Sequence, residues 1–199
     1  MRERLRRQLE FIVEIDKMKS VYRQTLVMDK SRAETDAEHS WHFAMAAMVL
    51  REYAAEDGVD LFRVLKMALV HDLVEIYAGD TFAYDTKGYT DKPQRERAAA
   101  DRLFAVLPRD QAKEYRSLWE EFDAMETPDA RYATAIDRLI PLISNANTDG
   151  HTWVMHDIAL PQVYERMRPV EKALPELWDY VEDVMREARS KNFIKENNH

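Results

Sequence analysis

The chain has 199 residues, of which 46% are hydrophobic and 33% are charged, a balance typical of one globular domain. The net charge of −8 argues against a nucleic acid polymer as partner, because such a partner requires a basic face. The chain has no cysteine, which excludes thiolate metal sites, and its 4 glycines are too few for a turn-rich β fold. We expect an all-α cytoplasmic protein, with no membrane partner, in which one domain spans residues 1–190 and a frayed tail spans 191–199.

The predicted elements follow from apolar spacing and helix-start signals. Apolar residues at helical spacing predict a first helix from Leu5 to Lys19. The polar stretch 20–36 is expected to be a long loop, and Asp36 is expected to cap a second helix that Gly58 closes. Asp60 is expected to cap a third helix that ends near Ala78-Gly79. After a polar loop at 81–92, helices are predicted at 93–107, 108–125, 127–143 and 161–190, with a loop at 145–157, a kink at Pro141 and breaks at Pro169 and Pro175.

The pair His71-Asp72 lies inside the apolar run of the third predicted helix. A buried aspartate beside a histidine is costly unless something compensates both groups, and a bound divalent cation would do so. His39 and Asp137, on two other predicted helices, complete a set of four that only tertiary packing can bring together. Imidazole nitrogens and carboxylate oxygens suit Mn, Co, Fe, Ni or Zn, and four protein ligands leave room for water or substrate.

Each of these residues also has a plain structural interpretation. An isolated His-Asp pair occurs by chance, His39 is compatible with a helix surface, and Asp137 could pair with Arg138 or Arg131. The combination and its sequence neighbourhood favour the metal site.

These residues carry a resemblance to a known family, the HD-domain phosphohydrolases. The branch that the chain resembles most is the small one that includes the bacterial 5′-deoxynucleotidase and the oxetanocin-like proteins. The resemblance implies an all-α bundle of about five core helices plus additional C-terminal helices, and hydrolysis of a phosphomonoester by metal-activated water. It also implies one divalent ion, because no histidine lies between Asp72 and Asp137, where two-metal relatives have more of them. The matching segments are Glu38-His39-Ser40, His71-Asp72-Leu73-Val74-Glu75 with Gly79-Asp80-Thr81, and Asp137-Arg138-Leu139.

Two carboxylates are candidates for acid–base catalysis. Glu75 follows Asp72 by three residues and His71 by four, so it shares their helix face and could orient or deprotonate water. Asp80 matches the family aspartate that activates water or protonates the leaving oxygen, although it could also be a turn residue. The sequence leaves open which of the two has which role.

Two further residues are candidates for substrate binding. Arg23 occupies the position that resembles the phosphate-binding arginine of the family. Gln24 stands where the deoxynucleotidase has a tryptophan that crowds out the ribose 2′-hydroxyl, so deoxyribose selectivity stays open. Glu38 is a candidate hydrogen-bond partner for a ligating histidine.

The leading hypothesis is a metal-dependent phosphohydrolase that cleaves a small phosphomonoester such as a nucleoside or deoxynucleoside 5′-monophosphate. The alternative is a non-catalytic HD regulatory module that binds metal and nucleotide without turnover. A homodimer is expected, because related small HD proteins tend to be homo-oligomers.

Overall fold

The structure is a computed structural model and describes residues 2–197. It confirms the all-α prediction, since helices make up most of the described chain and the strands form one short hairpin. The helices are α1 Glu3–Ile15, α2 Asp36–Val49, α3 Leu61–Val70, α4 Glu75–Ala78, α5 Lys92–Phe104, α6 Arg109–Ala124, α7 Pro128–Asn147, α8 His151–Met155, α9 Leu160–Ala173 and α10 Trp178–Ser190, and the strands are β1 Tyr22–Leu26 and β2 Ala33–Thr35. Short 3₁₀ turns lie at Asp16–Ser20, Arg51–Tyr53, Gly88–Thr90 and Pro175–Leu177.

The stretch 20–36 forms an antiparallel hairpin, so the prediction of a loop was wrong there. Tyr22 pairs with Thr35 and Leu26 pairs with Ala33 across β1 and β2. A two-stranded hairpin is marginal alone, but this one packs on α7, where the Ser144 hydroxyl donates to the Leu26 carbonyl oxygen at 2.9 Å. The hairpin fixes the position of the residues that precede α2.

The N-cap of α2 lies one residue before the predicted one. Thr35 is the N-cap: its hydroxyl accepts from the Glu38 amide at 3.3 Å, and the Glu38 carboxylate accepts from the Thr35 amide at 3.0 Å. This reciprocal pair is a capping box. Asp36, the predicted cap, is therefore the first helical residue, and its side chain is fully buried.

The third predicted helix is capped by Asp60 as expected, since its carboxylate accepts from the Phe62 amide at 3.0 Å. It does not run unbroken to Gly79, however, because α3 ends at Val70 and α4 begins at Glu75. The turn between them uses bonds that span three residues, such as that from the Glu75 amide to the Asp72 carbonyl oxygen. His71-Asp72 thus lies at a break rather than in a helix interior.

Helix α7 is the centre of the molecule and packs against α2, α3, α6 and α9. Thr127 caps it by accepting from the Ala130 amide at 3.1 Å, and the helix continues through Pro141. The predicted loop at 145–157 is therefore helical at its start and contains α8. The predicted break at Pro169 is also wrong, because α9 continues through it, whereas Pro175 does follow a helix end. The buried α7 face includes Tyr132, Ala133, Ile136, Leu139, Ile140 and Leu142.

The described part of the C-terminal tail packs against the domain instead of fraying. Ile194 is buried, and the Lys195 amide donates to the Ile158 carbonyl oxygen at 3.0 Å. The Lys195 carbonyl oxygen in turn accepts from the Leu160 amide at 2.7 Å. The end of the predicted tail, residues 198–199, lies outside the described residues. No helix within residues 2–197 is long and apolar enough to cross a membrane.

Candidate metal centre

The four predicted metal ligands lie together in the structure. His39 comes from α2, His71 and Asp72 from the turn between α3 and α4, and Asp137 from α7. Nε2 of His39 is 2.9 Å from Oδ1 of Asp137, and Nε2 of His71 is 3.6 Å from the same oxygen. Nε2 of His71 is also 3.0 Å from Oδ2 of Asp72. Both imidazoles are buried, so these atoms face one another out of contact with bulk water.

The tautomer of His71 is set by the backbone. Nδ1 of His71 lies 3.0 Å from the Ala68 carbonyl oxygen, which only accepts, so Nδ1 carries the hydrogen. In the neutral imidazole, Nε2 then directs its lone pair toward Asp72 and Asp137, and it has no hydrogen-bond partner among residues 2–197. Burial lowers the pKa of His71, but the two carboxylates outweigh it and raise the pKa to about 10. The site therefore favours a positive charge at this atom.

A divalent cation fits this arrangement. Metal–ligand bonds of about 2.0–2.2 Å place neighbouring ligand atoms about 3 Å apart, which is close to the separations above. His39, His71 and Asp72 each have a ligand atom within 4.8 Å of the others, and Oδ1 of Asp137 joins them on the side of the two imidazoles. Burial and then Arg23 lower the pKa of His39 to about 4, so this imidazole is neutral at neutral pH, as a metal ligand must be. Two nitrogens and two carboxylate oxygens form a set that suits a first-row transition metal.

Arg23 lies on β1 beside the predicted ligands. Its Nη1 is 2.8 Å from Oδ2 of Asp72 and 3.3 Å from Oδ1 of Asp36. Asp36 was expected only as a helix cap, yet burial and then Asp72 raise its pKa to about 7. The capping box formed by Thr35 and Glu38 was the sequence signal that would have placed Asp36 inside the helix, on its buried face.

The two candidate catalytic carboxylates, Glu75 and Asp80, both line the cavity beside the ligand cluster. Glu75 is buried, and its carboxylate has an oxygen within 4.8 Å of oxygens of Asp36 and Asp72. Burial, followed by the charge of Asp72, holds the pKa of Glu75 well above its usual range. Asp80 follows Gly79, whose φ of 76° starts the loop, and burial raises its pKa as well. Both carboxyl groups therefore hold a proton more readily than an exposed carboxyl group does.

The cavity has a volume of about 300 Å³ and extends from the ligand cluster past the side chains of α6, α7 and α9. Gln24 lies at its edge, where its Oε1 is 3.2 Å from Nε2 of His156. His156, for which the sequence suggested no function, packs on Phe82 with ring centroids 4.2 Å apart. Only tertiary structure brings these three residues together, so no local signal would have identified the group.

Glu38 does not contact His39 as expected, because its carboxylate is occupied by the Thr35 amide and by Arg32. The carboxylate that lies near Nδ1 of His39 is that of Glu34, at 4.0 Å. Glu34 is on β2, within the stretch that was predicted to be a loop.

Comparison with known proteins identifies relatives of the chain. Residues 15–178 match the family model described as HD domain. The chain is 30% identical over 131 residues to the human 5′-deoxynucleotidase HDDC2, a match that covers 65% of this chain and 62% of the relative. It is 33% identical over 109 residues to the protein of that name from Dictyostelium discoideum, covering 53% and 57%. The chain thus spans less than two thirds of the length of these relatives.

Solved structures are similar over almost the whole chain. A crystal structure of a "predicted metal-dependent phosphohydrolase" from Magnetospirillum magnetotacticum MS-1 has a TM-score of 0.92 and 48% identity, covering 96% of each chain. A conserved hypothetical protein from Pyrococcus furiosus has a TM-score of 0.61 at 23% identity, covering 92% of this chain and 99% of the other. This second similarity concerns the fold alone.

Proposed function

The chain belongs to the HD-domain family, and from that premise we propose that it is a divalent-metal-dependent phosphohydrolase acting on a small phosphomonoester. The observation that carries the proposal is the convergence of His39, His71, Asp72 and Asp137 at one end of a cavity. The curated relatives named 5′-deoxynucleotidase make nucleoside and deoxynucleoside 5′-monophosphates the first substrates to test. The similarity to the Magnetospirillum phosphohydrolase supports the same reaction class.

These four residues would hold one divalent ion. When bound, such an ion supplies Lewis acidity, which polarises a phosphoryl oxygen and makes a neighbouring water more acidic. The native metal is one of Mn, Co, Fe, Ni or Zn, and metal analysis of the purified protein identifies it.

The chain's own groups bind the phosphoryl group and move protons. Arg23, half-buried next to Asp72, offers planar guanidinium donors to phosphoryl oxygens. Hydrolysis takes one proton from water and delivers one to the leaving oxygen. Glu75 and Asp80 are the two carboxyl groups that we propose for these transfers, in an order that single substitutions would assign. Gln24, at the cavity edge, is proposed to contact the sugar side of the substrate.

The test is phosphate release from a panel of ribo- and deoxyribonucleoside 5′-monophosphates with added Mn²⁺ or Co²⁺. We expect His71→Ala to lower the rate at least about 100-fold. His42→Ala removes an imidazole of α2 that is not one of the four proposed ligands, and it is the control. Failure of the metal-loaded wild type to release phosphate from any phosphomonoester would contradict the proposal. Tight nucleotide binding without hydrolysis would instead favour the regulatory module.

The remaining parts of the proposal are a single domain over residues 1–190 and a cytoplasmic homodimer. Two helices expose apolar stripes at helical spacing, which supports self-association. Light scattering of the purified protein measures its mass in solution and tests the dimer. The exposed side chains are Leu5, Leu9, Ile12 and Val13 on α1, and Trp41, Met45, Met48 and Val49 on α2.

A further inference from the structure

Two arginines, Arg138 and Arg166, are among the residues that line the cavity. Arg138 is the neighbour of Asp137 on α7, but consecutive helical residues point about 100° apart. Its guanidinium lies against α9, where Nη1 donates to the Arg166 carbonyl oxygen at 3.3 Å, and Nη2 is 3.7 Å from Sδ of Met125. Arg166 also lines the cavity. Two positive charges thus share one wall.

These two arginines differ from the other cations that line the cavity. Arg23 is paired with Asp72 at 2.8 Å, and Lys92 is paired with Glu96 at 3.1 Å. Within residues 2–197, the Arg138 guanidinium contacts the Arg166 carbonyl oxygen and Met125 Sδ, and neither Arg138 nor Arg166 forms an ion pair. A half-buried pair of like charges is unfavourable unless an anion joins it. Asp137 lines the cavity next to Arg138, and Glu165 pairs with Arg168, but neither carboxylate forms an ion pair with Arg138 or Arg166 within residues 2–197.

The surroundings of the pair support this interpretation. Arg138 and Arg166 are both only partly exposed, and the Arg138 guanidinium is hydrogen-bonded to the Arg166 backbone, so the two like charges lie on neighbouring parts of the wall. Burial raises the pKa of Tyr84, which also lines the cavity, to about 12, so its hydroxyl stays a neutral donor. Asp123 lies on the cavity wall as well, but its charge acts on Glu96, on the Lys92 side.

We propose that Arg138 and Arg166 form a second anion-binding subsite, so that the preferred substrate is a phosphomonoester with a second anionic group. This inference rests on the proposed function, which places the scissile phosphate at the metal end. Planar guanidinium groups bind phosphate and carboxylate oxygens through paired hydrogen bonds, so either group has the required chemistry. A nucleoside carrying two separate phosphates and a phosphorylated hydroxy acid are examples of the two sources.

The test measures binding without turnover. Non-hydrolysable alkane-diphosphonates of several chain lengths, phosphonocarboxylates and alkyl monophosphonates of matched length are titrated calorimetrically into the Mn²⁺-loaded full chain. We expect at least one ligand with two anionic groups to bind about tenfold or more tightly than its matched monophosphonate. The phosphonocarboxylate series distinguishes a carboxylate from a second phosphate. Equal binding of mono- and dianionic ligands at every length would overturn the proposal.

Substitutions locate the effect. Arg166→Gln and Arg138→Gln are each expected to reduce the ratio of dianion affinity to monophosphonate affinity toward 1. Either variant suffices if the other fails to fold. Arg168→Gln on α9 and Arg131→Gln on α7 remove the same charge from outward-facing arginines paired with Glu165 and Glu56, and should keep the preference. A preference that survives both cavity substitutions would overturn the proposal, because it would arise from metal chelation alone.

The outcome is separable from that of the proposed reaction. A dianion preference that depends on Arg166, in a protein that hydrolyses nothing, supports the subsite and contradicts the phosphohydrolase. Hydrolysis of nucleoside monophosphates without such a preference keeps the phosphohydrolase and contradicts the subsite. If the protein preferred guanine nucleotides through Arg166, but did not prefer ligands with two anionic groups, this result would likewise overturn the subsite.

Discussion

At the residue scale, one nitrogen of Arg23 is already shared by two carboxylates before substrate binds. Nη1 lies within hydrogen-bond range of Asp72 and Asp36, so an arriving phosphoryl group competes for the same donor. Arg23→Lys keeps the charge but replaces the planar fork by a single ammonium. We expect kcat/KM to fall about tenfold or more, as for loss of a charge-assisted hydrogen bond. Steady-state kinetics measure the change, Arg32→Lys on the outer surface is the control, and an unchanged kcat/KM would contradict phosphate binding by Arg23.

Glu96 offers a test that is independent of activity. It is buried on α5 and pairs with Lys92 at 3.1 Å, yet burial outweighs this attraction and raises the pKa of Glu96. Burial lowers the pKa of Lys92, but the charge of Glu96 opposes this effect and the pKa of Lys92 is raised overall. Each side chain therefore titrates above its ordinary range.

The sign of the pH effect follows from that raised pKa. The contribution of Glu96 to the free energy of unfolding is complete below the unfolded pKa of about 4.3 and is lost as pH rises through the raised value. Glu96→Gln removes this titration. We expect the variant to gain stability relative to wild type between about pH 4 and pH 7. Urea unfolding of both proteins at the two pH values measures how the free energy of unfolding changes with pH in each. If the variant instead lost stability relative to wild type as pH rose, the ion pair with Lys92 would dominate.

The residues that the sequence placed at the site belong to a recognisable H…HD…D pattern, and the residues that it missed belong to no such pattern. The His71-Asp72 pair in an apolar run indicated that something must compensate it, and the resemblance to the H…HD…D pattern of the family favoured His39 and Asp137 as the partners. Arg138 was considered only as a partner of Asp137. Its orientation toward α9 depends on how two helices pack, which no spacing in the sequence encodes. Glu34 and Arg166 were missed for the same reason, whereas Asp36 was missed because the capping box of Thr35 and Glu38 was not recognised.

At the element scale, the N-terminus of α2 decides where His39 lies, since His39 is in the first turn of that helix. Thr35 provides the cap through the Glu38 amide, and its hydroxyl is half of the capping box. Thr35→Ala should lower the free energy of unfolding by about 1 kcal/mol, whereas Thr35→Ser should keep most of it. Chemical denaturation measures both, and equal loss in the two variants would show that packing of the methyl group, not capping, is responsible.

Helix starts were predictable because their signals are local. Asp60, Thr127 and the prolines at 93, 108 and 161 all lie within two residues of an observed helix start. Helix ends and strands were less predictable. The hairpin requires pairing between residues up to 13 apart, as between Tyr22 and Thr35, and the break after Val70 is not preceded by glycine or proline. Both features depend on packing against α7, which the local sequence does not contain.

At the scale of the whole molecule, the ligand cluster joins elements that are far apart in the chain. Its members come from α2, from the α3–α4 turn and from α7, the helix around which the domain packs. Without a cation, the imidazole nitrogens and carboxylate oxygens are buried together with few other partners. An ion that binds this cluster binds the folded chain and not the unfolded one, so it must stabilise the fold.

Removal of the metal should therefore lower the melting temperature. A ligand present at 100 times its Kd stabilises the native state by about 2.7 kcal/mol. For a domain of this size each kcal/mol corresponds to roughly 2–4 °C, so a chelator should lower Tm by about 5–10 °C. Differential scanning calorimetry with and without chelator measures the shift. His39→Ala should abolish the shift, because it removes one of two nitrogen ligands, and His42→Ala should keep it. A chelator effect of equal size in both variants would mean that the ion stabilises the protein from another site.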